Sequence, residues 1–176
     1  MNTLLGTVEL MSADEIFKKT EGAYLCLIHP VRSNDTYRKE IAPAIALAPS
    51  VADELLAAMI TSAGWRERLL GICIAMSKKS GVFVEAMVQS LRDPRGIAIV
   101  PTCAALAVLA RTGVFAMPIS FGDQFDRTAF DGEVGWAVDK AMHFAGLRPD
   151  DVPGRGPNYG QIFEDHAEVY SWLSAH

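Results

Sequence analysis

The middle of the chain holds the feature that most constrains its fold: residues 96–111, GIAIVPTCAALAVLAR, are apolar on nearly every side. A helix that is apolar all round must be covered by its neighbours, so this stretch predicts a central helix within a helical protein. Pro101 is poorly tolerated inside a helix, and we therefore expect the helix either to begin near Pro101 or to kink there. The stretch is too short to span a bilayer, so no membrane segment is expected.

Residues 64–79 and 82–92 predict two helices just before this stretch. The first has an apolar face with helical spacing, formed by Trp65, Leu69, Cys73 and Met76. Because only about three residues separate the two helices, we expect them to pack antiparallel to each other.

Helical periodicity also covers five other segments, at residues 12–22, 36–48, 49–64, 132–145 and 161–175. Three of them begin with a capping signal, namely Ser12 with Glu15, Ser50 with Asp53, and Asp131. The apolar run AYLCLI at residues 23–28 is too short for periodicity to separate a helix from a buried strand, and we favour a helix.

Together these segments predict an all-α fold of about seven helices in a single domain over residues 1–176. Antiparallel helix hairpins, stacked in a short HEAT-like α-solenoid or gathered into a bundle, would satisfy the pattern. Residues 146–160 contain seven Gly or Pro residues in fifteen, which predicts a long loop before the last helix. Loops of this length are either functional or mobile.

The net charge of −5 disfavours a general nucleic-acid-binding role. The charge is uneven, because residues 1–120 carry a net +1 whereas residues 121–176 carry 4 basic and 10 acidic side chains, a net −6. Such a distribution suits either a solubilising surface or a face that binds a basic partner. Three cysteines lie in apolar runs, namely Cys26, Cys73 and Cys103, which predicts buried free thiols in a reduced compartment. We therefore expect a cytoplasmic protein without a signal peptide.

Motifs for catalysis and cofactor binding are missing from the sequence. There is no Walker A loop, GxGxxG, GxSxG or CxxC, and no metal-binding spacing among His29, His143, His166 and His176. The acidic group of Asp123, Asp126, Asp131 and Glu133 does not match a calcium loop. We therefore predict no metal, no cofactor and no enzymatic activity.

Arg66 and Arg68 flank Glu67 at the head of the helix predicted from residue 64. Two guanidinium groups could grip an acidic ligand. Because a cation is unfavourable near a helix N-terminus, we favour a structural role in which an acidic neighbour within the fold pairs with them.

Two segments carry a resemblance to a known family: GWRERLLGICIAMSKKSGVFVEAMVQSL at residues 64–91 and DGEVGWAVDKAMHF at residues 131–144. They resemble a family of bacterial proteins known as a domain of unknown function, over roughly residues 37–144. Pro101 and the long loop depart from the family pattern. The resemblance implies a HEAT-type helical fold and a role as an immunity partner in a bacterial toxin system.

We therefore predict a protein-binding module, an immunity protein that neutralises a cognate toxin by occluding a basic active-site cleft. The predicted partner-binding residues are acidic side chains and aromatic anchors of the C-terminal third: Asp123, Phe125, Asp126, Asp131, Asp150, Asp151, Tyr159, Glu164, Asp165, Glu168 and Trp172. Two alternatives stay open. One is a small enzyme with a site around Asp131, Glu133 and His143, and the other is a HEAT-like scaffold or adaptor.

Overall fold

The computed structural model describes residues 11–20, 23–28, 36–150, 152–156 and 158–175. Within these ranges the chain is all-helical, as predicted, and contains no strand. The α-helices, in chain order, are α1 Ala13–Thr20, α2 Thr36–Leu47, α3 Asp53–Ile60, α4 Trp65–Ser77, α5 Val84–Arg92, α6 Ile99–Arg111, α7 Glu133–Phe144 and α8 Tyr159–Ala175. Short 3₁₀ turns lie at Ala23–Leu25, Ala48–Ser50, Gly81–Phe83, Gly96–Ala98 and Phe121–Gln124.

Helix α6 is the central element that its apolar sequence predicts. Its side chains from residue 99 to residue 109 are all buried, and it packs against α4, α5, α7 and α8. Pro101 is the third residue of α6. The first N–H groups of a helix have no partner within it, so proline is tolerated at this end. Of the two alternatives, the helix therefore begins near Pro101.

The arrangement is a bundle around α6 and α4. Helices α3 and α4 form one close pair and α1 and α2 another, and α8 returns to pack on both α6 and α4. In a solenoid each unit contacts only its neighbours along the chain, which α8 does not do. Buried apolar residues of the described chain form one cluster that extends from Ile16 in α1 to Leu173 in α8.

The expected antiparallel pairing of α4 with α5 is not the main contact of either helix. Helix α5 packs against α3 and α6 instead. Trp65 packs edge-on against Tyr24, with ring centroids 5.9 Å apart, so it anchors the head of α4 to the Ala23–Leu25 turn. Residues 23–28, for which the sequence left helix and strand open, form a 3₁₀ turn followed by a hydrogen-bonded turn, and not a strand.

Of the three capping signals, the first is confirmed and two are wrong. Ser12 and Glu15 make the reciprocal capping box at α1, since Glu15 N–H donates to Ser12 Oγ and Ser12 N–H donates to the Glu15 carboxylate. Ser50 lies in a 3₁₀ turn, and α3 starts after Ala52, which has no side-chain cap. Asp131 adopts a left-handed conformation before α7 and does not cap it.

Arg68 has the structural role that we favoured for it. Its side chain is only 1 % exposed. Its Nε donates to Ser62 O at 2.6 Å, and its Nη1 donates to Ser90 O at 2.9 Å and Asp93 O at 2.8 Å. Its Nη2 lies 3.6 Å from the Asp93 carboxylate. Arg68 thus ties the α3–α4 turn to the end of α5.

Candidate functional site

Six of the predicted partner-binding residues lie at three separate places around α7 and α8, namely Asp123, Asp126, Asp131, Tyr159, Glu164 and Glu168; Asp150, Asp165 and Trp172 lie at none of the three. Asp123, Asp126, Asp131, Asp150 and Glu164 are exposed, while Tyr159, Asp165, Glu168 and Trp172 are half-buried. Asp151 lies outside the described residues, as do His29 and His176.

The first place is the turn that leads into α7, held by the loop before α8. Arg155 Nη2 donates to Phe130 O at 3.2 Å and to the Asp131 carboxylate at 3.3 Å. Trp136 Nε1 donates to Pro153 O at 2.9 Å, so the same loop is bound to the first turns of α7. The predicted long loop is therefore tied across the start of α7.

The backbone of this turn is strained. Phe130, Asp131 and Gly132 are consecutive left-handed residues, with φ of 53°, 55° and 79°. A left-handed conformation costs about 1–2 kcal/mol for a residue with a side chain. Such strain persists where the surrounding structure enforces it, and it is common at binding sites.

Glycine permits the close packing behind the turn. A Cβ on Gly135 would lie 2.6 Å from Arg127 O, so no larger residue fits there without displacing the backbone. Asp126 stabilises a local turn by accepting from Thr128 N–H at 3.0 Å and from the Thr128 hydroxyl at 2.7 Å. These hydrogen bonds hold the pKa of Asp126 below its ordinary value, so its exposed carboxylate is charged near neutral pH.

The second place is a depression of about 340 Å³ beside α7, lined by Asp123, Arg127, Asp139 and Arg148 among others. Asp139 accepts from Arg127 Nη2 at 2.6 Å and lies 2.5 Å from Arg148 Nη1. Burial raises the pKa of Asp139, but the two guanidinium groups outweigh burial and hold it below its ordinary value. Asp123 is the exposed carboxylate at the rim of this ion-pair network.

The third place is a groove of about 580 Å³ where the end of α6 meets α7 and α8. Glu164 and Glu168 line its α8 side, while Lys140 and His143 line its α7 side. Arg111 also lines the groove and lies over the ring of Phe144, 4.4 Å from its centroid. The groove brings together carboxylates and cations, so its charge is mixed.

The aromatic anchors are placed differently from expectation. Phe125 is 7 % exposed and packs edge-on against Phe121, so it is a core residue and has no surface to offer a partner. Tyr159 packs edge-on against Trp136 with its hydroxyl 3.5 Å from the Glu133 carboxylate. Phe130, which the sequence reasoning missed, is 48 % exposed. The Asp131–Gly132 dipeptide signals a turn after Phe130 and could have pointed to it.

The alternative enzyme residues do not converge on one site. Asp131 and Glu133 lie at the head of α7, whereas His143 lies ten residues further along the helix, about 15 Å away at 1.5 Å per residue. Burial raises the pKa of Glu133, against the opposing effects of Arg155 and Tyr159. Within the described ranges, no group of three His, Cys, Asp or Glu residues is arranged to hold a metal ion.

The three thiols are not activated nucleophiles. Cys73 and Cys103 are buried as predicted, and burial raises the pKa of Cys73 to about 12. Cys26 is half-buried, and its thiol donates to the Glu40 carboxylate. Burial, followed by this contact with Glu40, raises the pKa of Cys26 to about 11. A thiol with a raised pKa is a poor nucleophile because the thiolate is the reactive form.

Comparison of the chain with protein-family models, with curated proteins and with solved structures finds no significant match. Among the residues that the structure describes, no helix has the length and apolar character needed to cross a membrane.

Proposed function

We propose that the chain is a protein-binding module without catalytic activity, whose partner presents a basic surface. The observation that carries this proposal is the set of exposed carboxylates on the loops around α7 and on α8: Asp123, Asp126, Asp131, Asp150 and Glu164. They belong to the part of the chain with a net charge of −6. Complementary charges steer protein association and raise its rate.

In its most specific form, the proposal is an immunity protein. The partner is then a bacterial toxin with a basic active-site cleft, and the chain neutralises it by occluding that cleft. The acidic surface suits a toxin that acts on nucleic acid or nucleotides, because such an enzyme needs cationic groups for phosphate. The role places the chain in the cytoplasm, which its free cysteines support.

The first test is capture of the tagged full-length chain from the cells that make it, followed by mass spectrometry. We expect one stoichiometric protein that is toxic when expressed alone and harmless when expressed with this chain. A captured protein without toxicity would contradict the immunity role. The absence of any stoichiometric protein would contradict the binding proposal as a whole.

The second test measures the part that charge plays. Asp123→Lys/Asp150→Lys reverses two exposed carboxylates of the acidic surface, and Glu54→Lys/Glu85→Lys makes the same change on α3 and α5. We expect the first variant to slow association by about tenfold or more at low salt, with the difference shrinking as salt rises. The second variant should associate like the wild type. Equal rates for both variants would remove the acidic surface from the interface.

A helical adaptor that binds a linear peptide is the competing interpretation, although the bundle around α6 and α4 differs from a HEAT-like solenoid. It predicts that a short synthetic fragment of the captured protein binds as tightly as the whole. The immunity role predicts that only the folded partner binds, since an active-site cleft exists only in the folded enzyme.

A further inference from the structure

We propose that the groove where the end of α6 meets α7 and α8 binds a small zwitterion of the α-amino acid class. Arg111 holds the carboxylate of this ligand, and Glu164 holds its ammonium group. The inference goes beyond the proposed function, because it concerns a small molecule and requires no protein partner.

Arg111 is the side chain of the groove that points to a ligand. Its guanidinium group is stacked on the ring of Phe144. Whereas Arg127 and Arg148 both pair with Asp139, Arg111 forms no ion pair and no hydrogen bond with any residue that the structure describes. Stacking fixes the plane of a guanidinium group and leaves the N–H donors at its edge, where a carboxylate can accept two of them in parallel. Arg111 is therefore a preformed binding group for a carboxylate.

The charges that line the groove exclude a simple ion as the ligand. Glu164 and Glu168, one helical turn apart on α8, face the cations Arg111 and Lys140. The lining therefore has no net charge when His143 is neutral. A simple anion would come close to the two glutamates, and a simple cation would come close to Arg111 and Lys140. A zwitterion instead places each of its charges against the opposite charge.

The packing of Phe144 indicates how far apart the two binding groups lie. Phe144 packs edge-on against Phe163, with ring centroids 5.8 Å apart, and Glu164 directly follows Phe163 in α8. Arg111 and Glu164 therefore lie near each other across the groove, yet they form no ion pair. An α-amino acid suits this arrangement, because a single carbon joins its ammonium and carboxylate groups. The groove volume of about 580 Å³ is within the range of small-molecule sites.

Titration of the purified full-length chain with each standard L-α-amino acid, followed by calorimetry, tests the assignment. We expect at least one amino acid to bind with a Kd of about 1 mM or tighter. Its analogues that lack the amino group or the carboxyl group should bind at least about tenfold more weakly. If no amino acid binds, the inference is wrong. An analogue without the amino group that binds as tightly would show a site for plain anions and would also overturn it.

Arg111→Gln and Glu164→Gln locate the site. Both side chains are exposed, so the midpoint of thermal unfolding should change by less than about 3 °C. Each variant should lower the affinity for the amino acid by at least about tenfold. Arg66→Gln is the matched control for the arginine, since Arg66 is also exposed and stacked on aromatic rings but lies outside the groove. Glu54→Gln on α3 is the control for the glutamate. Unchanged affinity in either groove variant would contradict the assignment.

The outcomes are separable from those of the proposed function. Asp123→Lys/Asp150→Lys should bind the amino acid like the wild type, because neither residue lines the groove. A chain that binds no amino acid would overturn this inference and leave the protein-binding proposal standing. A chain that captures no protein but binds an amino acid in the groove would do the reverse.

Discussion

The Arg68 region and the turn before α7 differ in whether their polar groups are buried and hydrogen-bonded or exposed. Arg68 is buried, and it donates to backbone oxygens of Ser62, Ser90 and Asp93. In the turn before α7, residues 130–132 keep an exposed aromatic ring, an exposed carboxylate and a strained backbone. The first arrangement stabilises the fold, whereas the second keeps two left-handed non-glycine residues, which costs stability.

A left-handed residue is not unusual by itself, as the end of α4 shows. Lys79 has a φ of 54° just after the C-cap residue Lys78. One left-handed residue there is the common way for a helix to end. The three consecutive left-handed residues 130–132 before α7 are held by Arg155 and are not explained by the end or the start of a helix. The turn before α7 therefore differs from the end of α4.

The largest effect should come from the Arg68 region. Arg68→Met keeps the length of the side chain but removes donors for three carbonyl oxygens and the Ser90 hydroxyl. We expect the free energy of unfolding to fall by about 3 kcal/mol, measured by urea denaturation. Arg66→Met is the matched control, because Arg66 is exposed and lies over the rings of Tyr24 and Trp65; it should cost less than about 1 kcal/mol. Equal losses would show that Arg68 contributes no more than a surface arginine.

A smaller loss is expected where α7 packs against the turn. Gly135→Ala places a methyl group 2.6 Å from Arg127 O, so the backbone must shift. We expect unfolding free energy to fall by about 1–3 kcal/mol in thermal or urea denaturation. Gly160→Ala is the control in α8, where an added Cβ meets nothing within 4 Å. It should raise stability by up to about 1 kcal/mol through helix propensity. A neutral Gly135→Ala would mean that the turn is not firmly held against α7.

The sequence was sufficient for the parts of the fold that depend on repeated local signals. The all-apolar stretch predicted α6 as the centre, and the helical periodicity of residues 161–175 predicted α8, whose buried face includes Phe163, His166, Tyr170 and Leu173. Burial of this kind follows from periodicity, because many residues report on the same face.

The missed features depend on contacts between distant residues. The pairing of α5 with α3 and α6 depends on how the whole bundle closes, which the short connection to α4 does not determine. Phe125 and Phe130 lie five residues apart in one irregular segment without periodicity, so nothing local separated the buried ring from the exposed one. Arg155, which holds the turn, lies 25 residues from Phe130 along the chain.

The smallest effects should come from two carboxylates of α7 whose pKa values shift in opposite directions. Asp139, between Arg127 and Arg148, has a lowered pKa, so it stabilises the fold above its ordinary value of 3.8. That stabilisation is lost as the pH falls through the lower pKa of the folded state. Glu133, which accepts from the Tyr159 hydroxyl, has a pKa raised by burial above 4.5, so its charge destabilises the fold at neutral pH and ceases to do so below 4.5.

Urea denaturation from pH 3 to pH 7 should therefore separate Asp139→Asn from Glu133→Gln, with the wild type as reference. At pH 7 we expect Asp139→Asn to lose about 1 kcal/mol and Glu133→Gln to gain a smaller amount. Both differences should shrink as the pH falls, below 3.8 for the first variant and below 4.5 for the second. Glutamine can still accept the hydrogen bond from the Tyr159 hydroxyl. A gain in the free energy of unfolding at pH 7 would therefore come from removal of the negative charge. A loss of stability in both variants would show that the Glu133 carboxylate, like that of Asp139, stabilises the fold. The contrast between the stabilising Arg68 region and the strained turn before α7 would then not include Glu133.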